Sequence, residues 1–82
     1  MEAKELGAFI AQIRKENQMT QAQLAACLKV TDKAVSRWER GMGFPDIQTL
    51  EPLAEALGVT LTELMKCQKM QQQEVSVQDT DA

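Results

Sequence analysis

Three times along the chain, a threonine sits between two apolar residues at fixed offsets. Met19-Thr20 leads to Leu24, Val30-Thr31 to Val35, and Val59-Thr60 to Leu64. Each threonine hydroxyl is placed to cap the first turn of a helix, and each apolar pair to staple the incoming chain onto it. Gln23 and Glu63 stand three residues after Thr20 and Thr60, the spacing of a capping box. The starts at Thr20 and Thr31 are close enough to leave room only for a short helix and a tight turn between them.

Five helical segments follow. The first covers roughly Ala3 to Glu16, where Leu6, Phe9, Ile10 and Ile13 recur at i, i+3, i+4 and i+7 and form one apolar face. The second starts at Thr20 and buries Leu24, Ala25 and Leu28. The third spans 31–40, with Val35 and Trp38 inward, and Gly41 fits the left-handed position just past its end. Asp46 caps a fourth, through about Ala56, whose apolar side is Ile47, Leu50, Leu53, Ala54 and Leu57. Pro52 lies inside that pattern, so a kink or a loose first turn is expected there. Gly58 stops the fourth helix, and the fifth runs from Thr60 to about Cys67. Periodicity then fails. Residues 1–67 read as one domain and 68–82 as a polar, disordered tail or a linker stub leading to a missing C-terminal domain.

Composition narrows the function. The chain has 82 residues, which suits one small domain. There is no His, which removes the commonest general base and metal ligand. No phosphate-binding glycine loop or nucleophile motif is present, so an enzyme is not expected, and no cofactor or metal is called for. Cys27 and Cys67 fit neither a metal-ligand spacing nor a disulfide framework and read as free thiols. With no long apolar run and no signal-peptide layout, a cytoplasmic protein is expected, away from membranes.

The net charge of −3 hides a polarity. Residues 14–44 carry six cations and three acids, whereas 45–82 carry two cations and seven acids. Within "VTDKAVSRWERG" the inward positions are apolar. Asp32, Lys33, Ser36, Arg37 and Arg40 are left to face outward. An amphipathic helix with a solvated charged face accounts for this pattern equally well, taken by itself.

The stretches "TQAQLA", "VTDKAVSRWERG", "PDIQTL" and "LGVTLTEL" together decide between these readings. They resemble the phage-repressor and Cro-like (Xre-type) family of helix-turn-helix transcriptional regulators, from about Leu6 to Leu64. The resemblance implies an all-α, compact five-helix, lambda-repressor-like DNA-binding domain, with the helix-turn-helix at helices two and three. It also implies that the third helix enters the major groove of double-stranded DNA.

Residue roles follow from that resemblance. Lys33 and Arg37 are the expected base readers, since both donate to guanine O6 and N7. Asp32 either accepts from a cytosine amine or favours the helix start. Ser36 meets a phosphate or a base. Gln21, Thr31, Arg40 and the 41–44 loop are expected on the sugar-phosphate backbone. Lys29 stands where the family has its turn glycine; it should lower stability and sits near the DNA-facing side. Ala25 permits the close approach of helices two and three, and Trp38 is core. Arg14 and Glu39 match a family salt bridge, which takes Glu39 off the DNA-reading set. The expected function is sequence-specific regulation of transcription, as a repressor binding a pseudo-palindromic operator as a homodimer. Contacts between copies would come from helix five, at Leu61, Leu64 and Met65, or from a further domain. The alternative is a protein-interaction module, an antitoxin or adaptor, that keeps the fold and binds a protein partner.

Overall fold

A computed structural model describes residues 2–69. Among these residues five helices run: α1 (Ala3–Glu16), α2 (Gln21–Leu28), α3 (Asp32–Glu39), α4 (Ile47–Leu57) and α5 (Leu61–Lys66). Thr20 and Thr60 close full capping boxes. Their hydroxyls accept from the Gln23 and Glu63 amides at 3.0 Å, and those side chains accept from the cap amides at 2.8 Å. Thr31 caps α3 by accepting from the Ala34 amide at 3.1 Å, and Asp46 caps α4 by accepting from Thr49.

All five helices end in the same way. The amides of Met19, Val30, Met42, Val59 and Gln68 donate back to the carbonyls of Arg14, Ala25, Arg37, Ala54 and Glu63. Each such bond needs a left-handed residue just before the donor. Those residues are Gln18, Lys29, Gly41, Gly58 and Cys67, with φ of 58°, 59°, 74°, 75° and 57°. Only two are glycine, and a side chain in this conformation costs about 1 kcal/mol. The reversal recurs because each short helix must turn back at once to bury its apolar face.

Those faces meet in one core. Leu6, Phe9, Ile10 and Ile13 of α1 pack with Leu24 and Ala25 of α2, Val35 and Trp38 of α3, and Leu53, Ala54 and Leu57 of α4. Val59 and Leu64 close it from below, with Leu28 and Val30 at its edge. Truncating a fully buried leucine such as Leu24 would cost about 2–5 kcal/mol. α1 lies against α3 at Gly7, where a Cβ would overlap the Trp38 carbonyl oxygen and come within 2.8 Å of that of Glu39. Asn17 donates to the Leu57 carbonyl at 2.8 Å and ties the end of α1 to the end of α4.

Two details differ from expectation. Ile47 is 83% exposed rather than part of the apolar side of α4. As the first residue of that helix it overhangs the core edge, which begins with half-buried Leu50. Pro52 does not interrupt α4, which is continuous from Ile47 to Leu57. The missing N–H deprives only the Gln48 carbonyl, and both residues are exposed, so water can serve that group. Of the tail expected at 68–82, all but Gln68 and Lys69 lies outside the described residues.

Candidate nucleic-acid interface

The packing of α3 decides which of its side chains are free. Val35 and Trp38 are buried, so the opposite side of the helix must face water. Asp32, Lys33, Arg37 and Arg40 are exposed there, whereas Ser36 lies at the margin and is half-buried. Lys29, in the turn before α3, is exposed as well. Among the described residues, none of Lys29, Lys33, Arg37 and Arg40 has an acidic partner. Arg40 leans back on its own helix, donating Nε to the Ser36 carbonyl at 3.3 Å. Four unneutralised cations therefore fall within twelve residues on and beside one short helix.

That helix is held from behind by a buried ion pair. Arg14 donates Nε to Glu39 Oε2 at 2.6 Å and Nη2 to Oε1 at 3.0 Å. Its third nitrogen, Nη1, donates to the Met19 carbonyl at 2.7 Å. The two side chains are only 9% and 7% exposed. The hydrogen bonds to Glu39 hold the Arg14 pKa above its ordinary value, and its charge adds to this against the cost of burial. Glu39 is thus consumed by scaffold, and its charge does not reach the outer face of α3.

Gln21 joins this network, which sequence reasoning did not anticipate. Its Nε2 donates to Glu39 Oε1 at 3.0 Å. A glutamine amide has a second N–H and a carbonyl, so this bond orients Gln21 without exhausting it. It stands at the first position of α2, where backbone amides are also unpaired. Thr31 has accepted its capping bond, but its hydroxyl proton remains to donate.

The loop after α3 completes the surface. Gly41 and Met42 donate to the Trp38 and Arg37 carbonyls at 3.0 and 2.9 Å, which turns the chain back alongside the helix. A Cβ on Gly41 would stand 2.6 Å from the Lys4 Cγ of α1, so the turn also needs glycine for space. Between α3 and this loop lies an open groove of about 340 Å³, lined by Lys33, Ala34, Arg37, Trp38 and Phe44 among others. The sequence reading placed the 41–44 loop on the strand through its backbone and gave the Phe44 side chain no role. The signal for it was present as a large apolar residue in a loop with no helical face to join.

Among the described residues no cluster is placed to hold a metal ion. No described helix is long and apolar enough to cross a membrane. Cys27 is exposed and Cys67 half-buried, and they are not bridged.

Known proteins share this arrangement. A helix-turn-helix family model matches residues 10–64. The chain is 33% identical over 66 residues to the HTH-type transcriptional activator BcrR of Enterococcus faecalis, covering 80% of this chain and 32% of that protein. It is 37% identical over 62 residues to the HTH-type transcriptional regulator y4dJ of Sinorhizobium fredii, covering 76% of this chain and 80% of that one. The crystal structure of the P22 c2 repressor protein in complex with a synthetic operator superimposes with a TM-score of 0.69 at 32% identity, over 72% of this chain and 89% of that one. The chain thus spans about a third of BcrR and most of y4dJ. With the family model spanning residues 10–64 and a 37% identical relative covered over 80% of its length, the chain belongs to the helix-turn-helix family of transcriptional regulators.

Proposed function

We propose that the chain reads a DNA operator with α3 and represses transcription by occupying it. The observation that carries this is the exposed set Lys33, Arg37 and Arg40, none of them in an ion pair among the described residues, on a helix whose Glu39 is locked away by Arg14 and whose other acid, Asp32, stands at the leading end. A major groove admits one α-helix, and its base edges present acceptors to such side chains. Lys33 and Arg37 donate to guanine, and Arg37 does so in bidentate fashion. Asp32 at the leading end accepts from a cytosine amine. Ser36, at the margin, meets the strand edge.

The backbone contacts flank these readers. Gln21, oriented by Glu39, offers its free N–H to a phosphate together with the α2 amides. Thr31 and Lys29 grip one side of the helix, and Arg40 with the 41–44 loop the other. These contacts fix register and carry the salt dependence, while the α3 side chains carry sequence. A single copy presents few base-reading groups, so the chain acts as a homodimer on half-sites about one helical turn apart. The exposed Leu61 and Met65 of α5 are the contact surface, while Leu64 belongs to the core.

Selection of bound duplexes from a random library tests this. The expected outcome is a pseudo-palindrome containing guanine in each half-site, bound with an affinity that falls as salt rises. Recovery of no common sequence would reject it. In that case the acidic half of the chain becomes the better lead, to a protein partner.

A further inference from the structure

The groove between α3 and the loop after it sets the base readers Lys33 and Arg37 beside apolar side chains to which the reading above gives no role. Phe44 is 52% exposed and lines the groove together with Ala34, Trp38, Lys33 and Arg37. An aromatic ring left in water beside two cations is unexplained by folding. Its backbone is nevertheless anchored. The Gly41 and Met42 amides anchor the loop to the end of α3, and the next residue, Pro45, is buried. The backbone that carries the ring is therefore anchored on both sides before anything binds, which lowers the entropy cost of using it.

The chemistry of the occupant follows from the surface presented to it. The two cations in the lining favour a nucleic-acid strand. In the major groove the one apolar group displayed by any base pair is the 5-methyl of thymine, and phenylalanine is among the side chains that meet it. We propose that Phe44 is a further specificity-determining residue, which with Ala34 receives the 5-methyl of a thymine next to the guanine read by Arg37. This rests on the DNA-reading proposal above and extends it from charge to shape. The site then reads a two-base step: hydrogen bonds fix the guanine, and the groove distinguishes thymine from cytosine beside it.

The test removes only the methyl. Duplexes carrying the selected half-site are made with each thymine in turn replaced by deoxyuridine, which pairs identically. They are titrated with the full chain as wild type, Phe44→Ala and Phe44→Leu. Burial of one methyl predicts a loss of about fourfold in affinity at one position per half-site for the wild type. Phe44→Ala should bind thymine and uracil duplexes equally, and Phe44→Leu should keep most of the difference. Phe44 is exposed, so these variants retain the core. The inference is overturned if no single position is sensitive to the methyl, or if the sensitivity survives in Phe44→Ala. It is also overturned if Phe44→Ala weakens association between copies while methyl sensitivity stays, because a second copy then covers the ring. If the wild type prefers no sequence at all, the DNA-reading proposal fails first and this one with it.

Discussion

Substituting one member of the Arg14–Glu39 pair should do far more damage than substituting both. The geometry is two-pronged, at 2.6 and 3.0 Å, and both side chains are more than nine-tenths buried. In Glu39→Leu the guanidinium of Arg14 keeps only the Met19 carbonyl, and Gln21 loses its acceptor. A buried charge left without its partner costs about 3–5 kcal/mol. A domain of this size is stable by about 3–10 kcal/mol in all, at 0.05–0.15 kcal/mol per residue. The single variant should therefore melt at least about 12 °C lower, at roughly 4–8 °C per kcal/mol, or fail to fold. Arg14→Met should behave likewise, since it strands the carboxylate. The double variant removes both charges and fills the space, so most of the stability should return. Urea denaturation of the four proteins completes the cycle, with an expected coupling of about 2 kcal/mol or more. Single substitutions costing less than about 1 kcal/mol and adding without coupling would refute the reasoning, because that is how an exposed pair behaves.

Other perturbations probe the remaining parts. Lys29→Gly relieves a side chain held at φ 59° and should raise stability by about 1 kcal/mol, read as a higher urea midpoint, while weakening DNA binding through one lost cation. Gly7→Ala forces α1 off the Trp38 and Glu39 carbonyls and should lower stability by about 1–3 kcal/mol or more, seen in thermal melts. Burial pushes the Cys67 thiol pKa up and the Glu5 charge adds to it, so less thiolate is present at a given pH. Alkylation followed by mass spectrometry should label exposed Cys27 first, and Cys67 should catch up only as pH rises.

The helices were legible because their ends are written locally. Thr20, Thr31, Asp46 and Thr60 each announce a start within a few residues, and the structure places every one at a cap. The helix ends were less legible. Gly41 and Gly58 advertise a left-handed turn, but Gln18 and Cys67 adopt it with no sequence mark, because packing imposes it. Ile47 fits the period of α4 yet is exposed, since periodicity identifies a face but not where the core stops. Gly7 looks like an ordinary helical residue until α3 is laid against it. In the candidate site, the outward set on α3 followed from which residues must be inward. The Gln21 bond to Glu39 and the uncovered ring of Phe44 depend on elements distant in sequence coming together. No local pattern encodes them.

The most direct test of the central claim concerns Arg37. Fluorescence anisotropy titrations would compare wild type with Arg37→Ala on the selected operator and on a scrambled duplex, across a range of salt. Arg37 is exposed and makes no ion pair among the described residues, so the fold should be untouched. If α3 reads bases, the substitution costs about 1–3 kcal/mol on the operator, much less on the scrambled duplex, and relaxes preference at one guanine. Equal losses on both duplexes, or none on either, would contradict it.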